Sequence, residues 1–560
     1  MRFLQRQKLR GWIIAGLVFF SFGFVTQTAG DYFEISKSME IFAEVYKDVN
    51  SEYVDETNPT QLMRTAIEAM LGSLDPYTNY YSESQIDYSK LMGSGQYSGI
   101  GADVTLRDGK IILMELYENG PADEAGLKVG DEIIRIDGEQ VSNKGLSMDE
   151  INSLLLGEKG SSVALTIFRS GDNSASSISL QRGGTEVQGE NVPYSGMVNE
   201  DIGYILLSGF MQDAGSEVAE ATRKLKKSNP DLKGIILDLR GNPGGRLDEA
   251  VNVTNVFVPQ NEKIVEMKGR TRDSQNTFGT RMPPVDTDIL LTVLVNGRSA
   301  SASEIVAGAI QDLDRGVIVG QRSFGKGLVQ NVRPLSYNTQ MKITIAKYYT
   351  PSGRCIQAID YTQHRQDGTA DRIADSLRKT FKTRNGRTVY DGAGVDPEVL
   401  VEKPALQPVT RALEEQRMIF DFSTWFSLKY DSIAPPQVFE ITDDIFEAFV
   451  AFVSAKGFTF RTETEADLRR LSDILQKEQY KTDIDPELKK LSDQLSALKE
   501  SDIRTHKAEI SRLLKKELIN RYYYKQGVLE ASFKDDPDIL AAVAVLNDTI
   551  RYGKILNPEK

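Results

Sequence analysis

LTVLVNGRSASASEIVAGAIQDLDRGVIVGQRSFGKGLVQ, residues Leu291–Gln330, decides how the rest of the chain is read. The apolar, β-branched run Ile289–Val295 has the length of a strand, and Asn296-Gly297 reads as the turn that ends it. Ser299, Ser301 and Ser303 follow, then Glu304 and an alternation of Ile, Val and Ala to Ile310. That is a helix start with a hydroxyl cap and an acidic first turn. A serine at such a strand–turn–helix junction lies where backbone N–H groups point outward, which suits an activated hydroxyl beside a site for negative charge. A second apolar run, Gly316–Val319, leads to Ser323-Phe-Gly-Lys-Gly-Leu-Val-Gln330. Lys326 and Gln330 are an even number of residues apart and share a face whether the segment is extended or helical. The pattern offers Ser301 and Lys326 as a catalytic pair oriented by Gln330. Ser299 and Ser303 are alternative hydroxyls that these residues alone do not exclude.

The totals narrow the chemistry. A chain of 560 residues has room for about three domains with sizeable cores. With 26% charged and 40% hydrophobic residues, its composition is that of a soluble globular protein. A net charge of −13 argues against a nucleic-acid-binding surface. The single cysteine, Cys355, excludes an intramolecular disulfide, and no Cys/His cluster suits zinc, so no metal or cofactor is expected. Only two histidines exist, His364 and His506, both in polar, charged contexts, which argues against a Ser-His-Asp hydrolase. At the N-terminus, Arg2, Arg6, Lys8 and Arg10 precede the apolar run Trp12–Val25, which is short for a membrane span. We expect residues 1–30 to act as a signal peptide cleaved near Thr28-Ala29-Gly30, or as an uncleaved anchor. In the second case residues 11–27 would hold the chain to the cytoplasmic membrane, and either way the remainder would be periplasmic.

Outward from the central stretch, residues 31–90 read as a small helical region, with helical spacing in Ile41–Tyr53 and Thr60–Leu74 broken by Leu74-Asp-Pro-Tyr-Thr. Residues 91–185 change to short strands around Gly120-Pro-Ala-Asp-Glu-Ala-Gly-Leu127 and Gly130-Asp-Glu-Ile-Ile-Arg-Ile-Asp-Gly138, the latter closed by a hairpin-type Asp-Gly. Residues 186–402 are the largest α/β stretch, with a polar, exposed insertion expected at 361–391. Within it, the strand Leu232–Leu239 ends in Arg240-Gly-Asn-Pro-Gly-Gly245, which lacks both GxxxxGK[ST] and GxGxxG spacing. Its glycines instead let a backbone N–H approach an oxyanion. From 403 to 560 the chain is mostly helical and rich in Leu, Glu and Lys, a solvated bundle or an arm for a second copy or an adaptor.

GPADEAGLKVGDEIIRIDG closely resembles the core of a PDZ domain. The resemblance implies that Gly99-Ile100-Gly101 holds a peptide C-terminal carboxylate while the peptide adds as a strand to the sheet edge. NGRSASASEIVAGAIQD, SFGKGLVQ, KYYTPSGRCIQ and GVDPEV, with Leu74-Asp-Pro-Tyr and Asp238-Leu-Arg-Gly-Asn-Pro-Gly-Gly, resemble the carboxy-terminal processing (tail-specific) serine proteases of the S41 type over roughly residues 40–400. That likeness implies an α/β, crotonase/ClpP-like protease core with an N-terminal helical region, an inserted PDZ domain and a helical C-terminal extension. It assigns the nucleophile to Ser301, the general base to Lys326 and the orienting amide to Gln330. It assigns the oxyanion donors to Ala302 and to Gly244 or Gly245, taken jointly, and a PDZ sensor to Arg169. A lysine near its usual pKa of about 10.4 is protonated at neutral pH, so burial must lower it by roughly 3 units, costing about 4 kcal/mol. The expected activity is endoproteolysis of envelope proteins selected by their C-termini. The rivals are a non-catalytic PDZ scaffold, and a crotonase-like CoA enzyme that would leave the PDZ segment unexplained.

Overall fold

Strings of Ile, Leu and Val too short for helices build the middle of a six-stranded sheet. A computed structural model describes residues 32–83, 85–86, 97–172, 174–183, 190–364, 370–403, 405–478 and 481–557. The sheet runs through β1 (Tyr194–Met197), β2 (Ile202–Leu206), β3 (Gly234–Asp238), β4 (Leu290–Val295) and β5 (Val317–Gly320). After β6 (Leu328–Pro334) and β7 (Gln340–Tyr349), which lie outside it, β8 (Val399–Leu400) completes the edge. β1 is antiparallel to β2, and every other neighbouring pair is parallel.

A parallel sheet needs both faces covered, because its crossover helices leave no strand half-solvated. On one face Ile205, Ile235, Leu237, Leu291 and Val293 pack against α1 (Ala214–Ser228), α2 (Leu247–Phe257) and α3 (Ala302–Asp312). The other face is covered from far along the chain. Within the helical extension, α4 (Met418–Lys429) and α5 (Lys507–Ser532) share a separate core around Phe422, Phe449 and Leu514. The last helices, α6 (Pro537–Asn547) and α7 (Thr549–Leu556), then bring Ile539, Val545, Leu546 and Tyr552 onto Tyr204, Ile236, Leu294 and Val319. Tyr552 completes the seam: its hydroxyl lies 3.1 Å from both the N–H and the carbonyl of Leu291.

The β-rich insert has its own core of Ile111, Leu113, Ile133, Ile151, Leu165 and Ile167. Its strands Ala102–Arg107, Lys110–Leu116, Glu132–Ile136, Ser162–Phe168 and Ser176–Gln181 pair antiparallel in that order. The helix Met148–Leu155 is started by a reciprocal cap between Ser147 and Glu150. A separate unit comprises the residues up to Ser82 together with Val332–Ile343. There, helices over 32–52 and Pro59–Gly72 precede a strand, Asn79–Tyr81, paired with Gln340–Lys342. Asp75 closes the turn of the Leu74-Asp-Pro-Tyr motif by accepting from the N–H groups of Tyr77 and Thr78.

Two expectations change. Anchorage by residues 11–27 is withdrawn: no helix among the described residues is long and apolar enough to cross a membrane, and residues 1–31 lie outside the described residues. The physical reason is length. Fourteen helical residues reach about 21 Å, short of the roughly 30 Å hydrocarbon layer. Second, the described part of 361–391 is mostly exposed but contains the strand pair Thr380–Lys382 with Thr388–Tyr390. It is pinned to the core by Arg387, which pairs with Asp314 and Glu398.

Because α6 supplies the lid of the second face, truncating Leu546 removes apolar contact directly over the sheet. We expect Leu546→Ala to lower unfolding free energy by about 2–5 kcal/mol in urea titrations of the full chain. A change below about 0.5 kcal/mol would mean that the helix is not needed to cover the sheet.

Candidate active site

Three serines follow β4, and their surroundings separate them. Ser299 is fully buried, and its hydroxyl donates to the Leu239 carbonyl at 2.7 Å. Ser303 is equally buried and donates to the Asn242 carbonyl at 3.0 Å. Ser301 is only half-buried, at the N-cap of α3, with φ 56° and ψ −111°. A non-glycine residue in that backbone region stores strain of about 1–3 kcal/mol and persists only where its surroundings enforce it.

The enforcing groups are Glu304 and Tyr348. Glu304 is fully buried, one turn into α3. Its Oε2 accepts from the N–H of Ser301 and the N–H of Lys326, both at 2.9 Å. Its Oε1 accepts from the Gly325 N–H at 2.7 Å and the Ser323 hydroxyl at 2.6 Å. Tyr348, on β7 and 1% exposed, places its hydroxyl 3.0 Å from the Ser301 carbonyl and in hydrogen-bond contact with the Lys326 carbonyl. Thus a carboxylate holds the amides of both residues and a phenol holds their carbonyls. Burial pushes the Glu304 carboxyl above its ordinary value, while the bonds from Ser323, Lys326, Gly325 and Ser301 pull the other way.

The Gly-rich turn after β3 packs directly against this loop. A side chain on Gly244 (φ 101°) would stand 2.7 Å from the Ala300 carbonyl and 2.9 Å from the Ala302 nitrogen. The N–H of Gly244 donates to Asn242 Oδ1 at 2.8 Å. Those of Gly245 and Ala302 donate to no acceptor among the described residues. Asn242, 1% exposed, also donates to the Leu207 carbonyl, and its own carbonyl accepts from the Ala300 N–H. Lys326 is half-buried in the loop before β6. Gln330, four residues on in β6, donates its amide to Thr344 Oγ1 at 3.2 Å on neighbouring β7.

Other candidates lie apart from this cluster. All three carbonyls of Gly99-Ile100-Gly101 are engaged, by the N–H groups of Gly183, Ala122 and Tyr117 respectively. The loop's own N–H groups have no acceptor among the described residues, which is the arrangement a carboxylate needs. Arg169 forms a fork with Asp131 at 2.8 and 2.7 Å and donates to the Gly126 carbonyl, all within the insert. Burial pushes the Cys355 thiol up, away from thiolate character. His506 caps α5 in the helical extension, and His364 ends the strand Ile359–His364.

Sequence reasoning missed Glu304, read only as a first-turn acid, and Tyr348, contained in a motif without a role. An acidic residue among Ala, Ser, Ile and Val on a helix apolar all round was the available signal, since buried carboxylates must be hydrogen-bonded.

A hydroxyl on a strained backbone at a helix N-terminus, a lysine whose backbone N–H shares its carboxylate clamp and two backbone N–H groups without acceptors among the described residues are parts that suit a serine-type hydrolase site. Peptidase family S41 matches residues 201–365, the PDZ domain residues 112–169, and the C-terminal helical domain of probable PDZ-proteases residues 409–546. The carboxy-terminal-processing protease of Bartonella bacilliformis is 37% identical over 328 residues, covering 58% of this chain and 74% of that one. The carboxy-terminal processing protease CtpB of Bacillus subtilis is 33% identical, covering 59% and 68%. Among solved structures, the photosystem II D1 C-terminal processing protease is 26% identical over 64% of this chain and 92% of that one, with a TM-score of 0.37. This chain belongs to the PDZ-containing carboxy-terminal processing serine proteases of family S41. It is an endopeptidase whose PDZ domain engages substrate C-termini.

Glu304→Gln keeps the side chain's size but turns an N–H₂ group toward N–H donors. We expect kcat to fall at least about 100-fold. Stability carries a sign as well. Glu304's folded value lies above its unfolded one, so the group contributes most below the unfolded value and loses that contribution as pH rises through the folded one. The unfolding free energy of the wild type relative to Glu304→Gln should therefore shrink from pH about 4 upward in urea titrations. A growing difference would contradict the direction of the shift.

Proposed function

We propose that Ser301 is the nucleophile, Lys326 the general base, Gln330 its orienting amide, and the N–H groups of Gly245 and Ala302 the oxyanion hole. The neutral Lys326 amine takes the Ser301 proton as Oγ attacks the scissile carbonyl, then returns it to the leaving amine. Water, deprotonated by the same lysine, releases the acyl group and restores the serine. The oxyanion donors contribute about 3 kcal/mol each to the tetrahedral state. The observation that carries this reading is the joint hold of Glu304 and Tyr348 on the backbones of Ser301 and Lys326, two residues 25 positions apart. It is supported by the engagement of the Ser299 and Ser303 hydroxyls with carbonyls. Gly244 is the weaker oxyanion donor because its N–H faces Asn242.

In this reading the chain divides into a helical region (31–90), a PDZ domain (91–185), a crotonase/ClpP-like protease core (186–402) and a helical extension (403–560). The carboxylate of the substrate's C-terminus sits on the N–H groups of Gly99, Ile100 and Gly101. Arg169, committed to Asp131, serves PDZ rigidity in the described arrangement and would have to leave that fork to act as a sensor.

A fluorophosphonate probe should label Ser301 in the wild type and fail to label Ser301→Ala or Lys326→Ala, each of which should lose at least about 1,000-fold in kcat/KM. Labelling that survives Lys326→Ala would remove the lysine from the base role. Amidating the C-terminus of a peptide substrate should raise KM with little effect on kcat. Equal KM for acid and amide would reject capture by the carboxylate loop.

A further inference from the structure

Between the protease core and the helical extension lies a cavity of about 770 Å³ that the catalytic reading does not use. One wall is the turn Asn296-Gly297-Arg298 with Gly241 beside it, the Gly241 N–H donating to Asn296 Oδ1 at 3.1 Å. Ser301 is three residues beyond Arg298, and Gly245 four beyond Gly241. Another wall is α5, lined from Arg512 to Ser532 and including Lys525. The Lys525 ammonium pairs with Glu115 of the PDZ domain at 2.9 Å and lies 5.7 Å from the Tyr117 ring. Tyr117 in turn donates its N–H to the Gly101 carbonyl, in the carboxylate loop. Through Lys525 the cavity's lining touches the PDZ domain, and through Arg298 and Gly241 it adjoins the turns that lead to Ser301 and Gly245.

Its chemistry is uneven. Leu206, Leu513 and Val528 give it an apolar lining. Its carboxylates are committed: Asp238 and Asp536 to Arg240, and Asp535 lies 3.8 Å from Lys515. Arg298, Arg512 and Lys516 also line it, exposed, and their head groups make no direct hydrogen bond or salt bridge among the described residues, although Arg512 attracts the lining Asp535 and Lys516 attracts Glu414 through space. In a chain of net charge −13, three cations without a direct salt bridge around one largely apolar cavity give it a local field of the opposite sign.

We propose that this cavity is the passage for the substrate tail between the PDZ domain and Ser301, and that it selects tails carrying acidic side chains among apolar ones through Arg298, Arg512 and Lys516. The proposal rests on the catalytic reading above for its direction. Its occupant follows from charge complementarity and from continuity with the carboxylate loop. The acids would meet unpaired cations whose charge is otherwise solvated, and the apolar residues would meet Leu206, Leu513 and Val528.

The test uses the full chain as Ser301→Ala, so that binding is read without cleavage. Three fluorescein-labelled peptides share the same last four residues and differ upstream in having three Asp/Glu, three Asn/Gln or three Lys among Leu and Val. By fluorescence anisotropy at low salt, the acidic peptide should bind about tenfold tighter than the amide peptide, and the lysine peptide weakest. That ratio should collapse to about one in Arg512→Glu/Lys516→Glu and shrink with added salt. A ratio near one before the charge reversal, or one that survives it, overturns the proposal. Failure of the intact serine enzyme to cleave any of the peptides, with the binding ratio as expected, would instead count against the catalytic reading alone.

Discussion

Everything in the catalytic region depends on one buried carboxylate. Glu304 has two oxygens and four donors, and those donors come from two segments that meet only because the carboxylate needs them. An ionised carboxyl removed from water costs several kcal/mol unless its lone pairs are filled, so the burial of Glu304 and the closure of the Ser323–Lys326 loop are one event. Tyr348 repeats the constraint on the carbonyl side. The strained Ser301 backbone is held from both ends, which is the condition under which a non-glycine residue with positive φ persists.

The parts that carry substrate are tied to the parts that cut it by the helical extension. Arg107 of the PDZ domain pairs with Asp421 on α4 at 2.8 Å, and Tyr524 of α5 donates its hydroxyl to Asp123 at 2.7 Å. Asp123 belongs to the short helix Pro121–Glu124, whose Ala122 N–H holds the Ile100 carbonyl. Tyr524 itself has φ 54°, breaking α5 where it meets the insert. Further on, Asp536 and Asp538 reach Arg240, the residue that opens the Gly-rich turn after β3. One extension therefore touches the support of the Gly99-Ile100-Gly101 loop, the base of the Gly-rich turn after β3 and the second face of the sheet.

Much of this was legible in residue order. Period-two and all-apolar runs announced the strands, Asp137-Gly138 announced a hairpin, and the small-residue stretch around Ser301 announced the strand–turn–helix junction found there. Only the family resemblance separated Ser301 from Ser299 and Ser303 in the sequence. In the structure they differ in which carbonyls lie nearby, with Ser299 and Ser303 bonded and Ser301 at the strained turn. Glu304 was opaque for a related reason: a surface first-turn acid and a buried clamp share the same local pattern, and only long-range partners at 323–326 distinguish them. The tail's charge-dense helices hid α6 and α7, whose apolar residues Ile539, Val545 and Leu546 pair with strands more than two hundred residues away.

The most direct measurement is amide hydrogen exchange by mass spectrometry on the wild type and Glu304→Ala. If the carboxylate unites the two segments, peptides covering 299–304 and 323–328 are both protected in the wild type and lose protection together in the variant. Loss in one segment with full protection kept in the other would contradict the clamp, and with it the positioning of Lys326 against Ser301.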